Sequence, residues 1–240
     1  VALHHMEVFM WKGIDVSDNQ GTINWAQIPE NVDFAVLRSV RRSGKTDHQF
    51  AANLEGCRER NIQVSVYKYT YATTPEAARQ EAQQVVALLQ SYGLAGTMIW
   101  WDVEDKDVLR PLGVTKLTEC IRAAQEVVEA AGYGFGLYVG LYVYKERWFD
   151  FDAFAGARLW VARYYHGYHT MQFADEADQN YKPSVNRWLT AWQYTSCGEI
   201  AGIKDDVDLN ISYEDPAAWT QHVAESGVIY TVSVSYTHLR

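Results

Sequence analysis

Apolar positions along this chain follow two rhythms. Short continuous runs rich in Val, Ile, Tyr and Trp fall at residues 13–16, 34–40, 62–69, 98–103, 135–139, 159–163, 189–194 and 207–209. Such runs, four to eight residues long and without strict polar alternation, predict strands covered on both faces. Between the early runs the apolar spacing lengthens to three and four, the helical period. One such stretch starts near Asp47 as a cap and puts Phe50, Leu54 and Cys57 on one face. A second has Thr74 as N-cap and Pro75 in the first helical position, carries Ala78, Ala82, Val85 and Leu89, and runs to Gly93. A third, capped by Thr115, carries Leu117, Ile121, Ala124 and Val128 and stops at Gly132.

Strand–helix alternation predicts parallel strands joined by crossover helices. Eight strands favour closure into a barrel over an open sheet. After the fifth strand the helical pattern is short or missing, so the expected fold is α/β, an irregular TIM-like β/α barrel with eight strands and fewer outer helices. Residues 11–219 are expected to form this one domain. Residues 1–10 read as a cloning scar or a disordered N-terminus, and after Trp219 the period is lost, leaving 220–240 as a tail that the pattern does not assign.

Composition narrows the function. A formal charge of −9 with no block of Lys and Arg leaves counterion release little to act on, so no nucleic-acid partner is expected. No apolar stretch approaches a membrane span. Arg38, Arg41 and Arg42 are the densest basic group and read as a solvated loop. Cys57, Cys120 and Cys197 are odd in number without metal spacing, and no disulfide framework is expected. His48, His166, His169 and His222 fall in helix or loop positions, so neither a metal nor a cofactor is expected.

The chemistry concentrates in acids. In a β/α barrel, reactive residues stand at the C-terminal ends of the strands. There the first run supplies Asp15, the fourth supplies Asp102 and Glu104, and the last supplies Asp208. Asp102 and Glu104, two apart, share the side of the strand that faces into the barrel. Two carboxylates so close do not both ionise cheaply, and Trp100 and Trp101 beside them add desolvation, so one is expected to keep its proton as a general acid must. Any one of these acids alone would read as a helix cap or an ion-pair partner. Acids from three segments at one rim suit glycosidic cleavage, in which one protonates the leaving oxygen and others stabilise the anomeric carbon. Tyr67, Tyr69 and Tyr71 share a face at the end of the third strand, and Tyr138, Trp160 and Trp192 end the fifth, sixth and seventh runs. Such a rim suits a saccharide groove, although each ring could equally fill the barrel core.

These residues resemble glycoside hydrolase family 25, the lysozymes of fungi, bacteria and phages. The resemblance rests on Asp15-Val16-Ser17 followed by Gln20-Gly21 and Ile23-Asn24-Trp25, then Tyr67-Lys68-Tyr69-Thr70-Tyr71-Ala72 and Trp101-Asp102-Val103-Glu104. Leu159-Trp160-Val161-Ala162, Trp192-Gln193-Tyr194 and Val207-Asp208-Leu209-Asn210 complete it, in family order over residues 12–215. It implies cleavage of the β-1,4 bond between N-acetylmuramic acid and N-acetylglucosamine in peptidoglycan. It implies Glu104 as acid/base, Asp102 as its assistant on the substrate's acetamido group, Asp15 and Asp208 on the pocket floor, and Gln193 among the substrate-binding residues. Lys68 departs from the family pattern and, by alternation, should face away from the barrel interior. Retention through the acetamido group is the expected mechanism. The expected partner is the peptidoglycan glycan strand, met by a monomer in the cell wall, outside the cell, or in a host cytoplasm before phage-induced lysis. Chitinase-like barrels want a longer Asp-rich run before the Glu than Ile99-Trp100-Trp101 allows. The rival from another class is a catalytically inactive wall lectin on the same barrel.

Overall fold

The computed structural model describes residues 10–219 and a two-residue pairing of His222–Val223 with Ile229–Tyr230. The expectations for residues 1–9 and for the rest of 220–240 lie outside the described residues. The strands are β1 (Trp11–Val16), β2 (Phe34–Arg38), β3 (Gln63–Tyr69), β4 (Met98–Asp102), β5 (Gly134–Gly140), β6 (Arg158–Ala162), β7 (Met171–Gln172), β8 (Ala191–Glu199) and β9 (Val207–Ser212). All eight predicted strands are present, and β7 is a short addition on the end of β8. β1 to β6 pair in parallel and in chain order, and β8 joins β6 in parallel. β9 then closes the barrel, antiparallel to both β8 and β1.

An all-parallel barrel is therefore not what forms. The link from Glu199 to Val207 is too short for a crossover, which needs a dozen or more residues, so the chain turns back as a hairpin. The consequence for the site is direct. Val207 and Asp208 begin β9 rather than end it, and the reversed direction still delivers them to the rim where β1 ends, with Asp208 opposite Asp15.

The three long helices are α1 (Phe50–Glu59), α2 (Pro75–Ser91) and α3 (Gly113–Ala130). Thr74 caps α2 by accepting from Ala77 N at 3.2 Å. Asp47 acts one turn ahead of α1, accepting from Gln49 N at 2.9 Å with its carboxylate and from Phe50 N with its carbonyl. Thr115 is not a cap. A 3-10 turn at Arg110–Leu112 runs directly into α3, which starts at Gly113 without a side-chain cap. After β5 the described residues hold one α-helix, the six-residue α4 (Leu141–Glu146), and otherwise short 3-10 turns, as the pattern predicted. The outer face there is covered by the 163–190 segment, where Tyr165 stacks on Tyr181 at 4.8 Å and leans on Trp192.

Two cores result. The larger lies between strands and helices and contains Ile14, Leu37, Trp101, Leu117, Ile121 and Trp192. The smaller fills the barrel with Phe34, Val36, Met98, Trp100, Tyr138, Trp160 and Ala191, stoppered from below by Trp219. Trp219 meets Trp100 edge-on at 5.2 Å and Phe34 at 5.1 Å. The space for Trp100 exists because its neighbour on β5 is Gly136, where a Cβ would lie 2.5 Å from the indole. Trp25, at a 3-10 turn outside the barrel, requires Gly56 on α1 in the same way, with a contact of 2.1 Å.

Candidate active site

The upper mouth of the barrel opens into a cavity of about 550 Å³ that contains Asp15, Asp102, Glu104 and Asp208. Strand alternation explains the set. From Met98 and Trp100 in the barrel core, the inward face of β4 continues to Asp102. Val103 N still donates to Tyr138 O at 3.0 Å, so the extended trace persists and Glu104 emerges on the same side. Among the other predicted residues, Tyr67, Tyr69, Tyr71, Tyr138, Trp160 and Gln193 all line this cavity.

Trp192 does not. It is 0% exposed, lies in the outer core and donates its Nε1 to Arg163 O at 2.9 Å. Adjacent strand residues face opposite sides, so with Gln193 inward Trp192 must point out. The solvated-loop reading of the arginines holds in part: Arg41 and Arg42 lie in a turn and Arg42 is exposed, but Arg38 belongs to β2, and all three line the cavity together with Asn19. Arg38 is the inward residue of β2 after Phe34 and Val36, held by Asp18 and by Asp47 at 2.7 Å.

Hydrogen bonding divides the acids. Asp15 Oδ2 accepts from Gln193 Nε2 and from Asn210 Nδ2, both at 2.8 Å. Those donors are oriented in turn: Gln193 Oε1 accepts from Tyr138 and Tyr164 hydroxyls, both at 2.7 Å, and Asn210 Oδ1 accepts from Trp160 Nε1 at 2.9 Å. Asp208 is the cross-strand neighbour of Asp15, where two like charges are unfavourable. Burial, then the charge of Asp15 and a hydrogen bond to it, raise Asp208 well above the usual carboxylate range. Burial raises Asp15 as well, but hydrogen bonds from Asn210, Gln193 and Asp208 pull it back, so Asp208 is the more strongly shifted of the pair toward its protonated form.

Asp102 stands apart. Its Oδ1 is buried and accepts no hydrogen bond from the protein. Burial first, then the charges of Glu104 and Asp15, raise its proton affinity, while Lys68 opposes them from behind the strand. Lys68 faces away from the interior, donating to Tyr69 O at 2.8 Å and lying 3.6 Å from Glu81 on α2. Glu104 is pushed up from 4.5 to about 7, by burial and then by the charges of Asp15 and Asp105.

Several contributors escaped the sequence reading. Asn210 and Tyr164 were legible in principle, since alternation from Asp208 and from Trp160 puts both on the inward side. Arg41, Arg42 and Asn19 come from loops, which carry no such period. A larger concavity of about 720 Å³, between β7 and the tip of the β8–β9 hairpin, holds none of the predicted residues.

A ring of acids at the mouth of a β/α barrel, one holding its proton near neutrality beneath an aromatic wall, is the equipment of a glycoside hydrolase. The sequence profile of Glycosyl hydrolases family 25 matches residues 14–203. The chain belongs to that family and is a glycoside hydrolase of the lysozyme type. The catalytic domain of endolysin ply40, from bacteriophage P40 of Listeria monocytogenes, is similar at 26% identity and TM-score 0.67, over 90% of this chain and 97% of that one. The modular autolysin LytC of Streptococcus pneumoniae is also 26% identical, with TM-score 0.65, over 88% of this chain and 47% of LytC. The bacterial lysozyme of Streptomyces coelicolor shares the fold at 20% identity and TM-score 0.66, over 87% of this chain and 96% of that one. No curated protein matches the chain.

Proposed function

We propose that the protein is a muramidase, cleaving the β-1,4 bond between N-acetylmuramic acid and N-acetylglucosamine in peptidoglycan with Glu104 as general acid/base. One observation carries the reading: Glu104 is raised to about 7 beside Asp102, whose buried Oδ1 lacks a protein donor. A general acid works best with a pKa near the working pH. An acceptor without a partner on a sugar-sized cavity suits the N–H of a 2-acetamido group. The similarity to the ply40 endolysin domain and to LytC, which has been solved with a synthetic peptidoglycan ligand, supports the substrate class.

The steps follow from these positions. Asp102 accepts the acetamido N–H and turns the amide oxygen toward the anomeric carbon. That oxygen displaces the glycosidic oxygen, which takes the proton of Glu104 and leaves as the 4-hydroxyl. The product is a bicyclic oxazolinium with inverted configuration at the anomeric carbon. Water, deprotonated by Glu104, then opens it with a second inversion, giving net retention. Asp15, whose ionised form is favoured by the hydrogen bonds from Gln193 and Asn210 against its burial, stabilises the positive charge that develops. Tyr69 and Tyr71, stacked at 4.8 Å, offer a ring face to a sugar. The enzyme is proposed to work as a monomer on glycan strands, in the wall or from a host cytoplasm during lysis. None of the described helices is long and apolar enough to cross a membrane.

The test is digestion of purified peptidoglycan, borohydride reduction and mass spectrometry of the new ends. Reduced muramic acid is expected from the wild type and none from Glu104→Gln, and Asp102→Asn should lose on the order of 100-fold in kcat. Reduced glucosamine ends would change the bond assignment. No new ends, with the protein still sedimenting with the wall, would favour the lectin.

A further inference from the structure

The acidic floor of the groove meets a basic arm at one end. Residues 41–45 form a tight turn, with Arg41 N donating to Lys45 O at 2.9 Å, Gly44 N donating to Arg41 O at 3.0 Å, and a bridge between Val40 and Thr46. Gly44 takes φ +77°, which a side chain would resist, so the turn is built to hold this shape. It presents Arg41 and Arg42 to the same cavity as Asp102 and Glu104.

The two arginines differ from Arg38, which is committed to Asp18 and Asp47. Among the described residues, neither the Arg41 nor the Arg42 guanidinium forms an ion pair or a side-chain hydrogen bond. Arg41 Nε is buried and has no protein acceptor. The Arg42 guanidinium lies over the Tyr71 ring at 4.3 Å, and Tyr71 is itself stacked on Tyr69. Stacking fixes the plane of a guanidinium and leaves its N–H edge free, the geometry that accepts a planar anion. In a chain of net charge −9, two uncommitted guanidiniums beside a carboxylate cluster are not explained by a neutral sugar backbone.

We infer that Arg41 and Arg42 form a carboxylate-binding arm of the groove, which recognises the acidic group carried on the muramoyl residue. This rests on the muramidase reading. Among the sugars of a peptidoglycan strand, the muramoyl unit alone bears an acid, as the lactyl carboxylate itself when the peptide is absent or as the acidic residues of the attached stem. Both sources offer the same planar anion. The arm distinguishes this polymer from a neutral chitin-like strand and sets the register in which Glu104 meets a muramoyl linkage.

The experiment compares four substrates by initial rates of reducing-end release. They are intact peptidoglycan, the same wall with its carboxylates amidated, amidase-stripped glycan strands, and those strands amidated. For the wild type, amidation should lower kcat/KM about 10-fold, through KM, which corresponds to about 1.4 kcal/mol of binding. A loss confined to intact wall assigns the stem as ligand, and a loss in stripped strands assigns the lactyl carboxylate. In Arg41→Gln/Arg42→Gln the ratio of native to amidated substrate should fall toward one, whereas Arg41→Lys/Arg42→Lys should keep most of it. Indifference of the wild type to amidation, or an unchanged ratio in the glutamine variant, overturns the inference. Sedimentation of Glu104→Gln with native and amidated wall reads the same preference without turnover. Absence of any reducing ends would instead remove the muramidase reading, and equal sedimentation with both walls would remove the arm.

Discussion

Glu104 and Asp102 are separated by one residue and owe their different chemistry to what surrounds them. Asp102 ends β4 with a buried, unpartnered oxygen, and Glu104 stands past the strand end with burial and two neighbouring acids raising it to about 7. A carboxyl raised from 4.5 to about 7 binds more protons folded than unfolded between those values. Its contribution to stability is thus fully present below 4.5 and is lost as pH rises through about 7. Glu104→Gln, neutral at every pH, should therefore melt above the wild type at pH ~8, with the gap narrowing toward pH ~4, in thermal scans. A wild type that melts above the variant at pH ~8 would show that Glu104 is not held protonated by its site. The same proton sets activity, so kcat/KM should fall on the alkaline side with an apparent pKa near 7, the value to which Glu104 is raised.

At the scale of elements, alternation within a strand decides which aromatic rings can meet sugar. Trp160 and Tyr138 point inward, and Trp192 points outward to Tyr165 and Tyr194. Trp192→Ala should consequently cost about 3–5 kcal/mol of stability, as removal of a buried aromatic does, measured by urea unfolding. Near the temperature of maximum stability its KM should stay close to wild type. A large rise in KM with intact stability would return Trp192 to the groove. Elements behind the strands also hold the aromatic wall. Glu81 on α2 accepts from Thr70 Oγ1 at 2.6 Å and from Tyr71 N at 3.2 Å, and Lys68 sits beside it at 3.6 Å. Lys68 thus supports the loop that carries Tyr71, and reaches the reacting centre only through its charge on Asp102 from behind the strand.

For the molecule as a whole, closure of the barrel matters more than its helices. The antiparallel β9 joins β8 to β1, and Trp219, in the 3-10 turn at Pro216–Trp219, fills the lower end. Because Trp219 touches both Trp100 and Phe34, it couples β4 to β2 across the interior, beneath the acids. Trp219→Ala should destabilise by about 3–5 kcal/mol in equilibrium unfolding. Truncation before Pro216 should do at least as much, since it opens the core to water. A variant as stable as wild type would mean that the barrel ends above Trp219.

Much of this was written in the chain itself. Eight strands, the three long helices, the helix deficit after β5 and the acids at 15, 102, 104 and 208 follow from periodicity, because burial imposes a period of two or of about 3.6 on whichever residues face a core. What periodicity does not carry is direction and loop geometry. The short link after Glu199 forced β9 to run backward, and only its pairing with β1 showed that the start of β9, not its end, brings Asp208 opposite Asp15. Trp192 was misplaced by reading its residue type before its parity with Gln193. Arg41 and Arg42 were out of reach of any pattern, because a tight turn outside the sheet takes its orientation from its own hydrogen bonds and from the ring of Tyr71. The sequence by itself determined which segments are strands and which acids gather at their ends. Tertiary structure decided which of those acids keeps a proton and which cations face them, since burial and the distance between charges exist only once the barrel has closed.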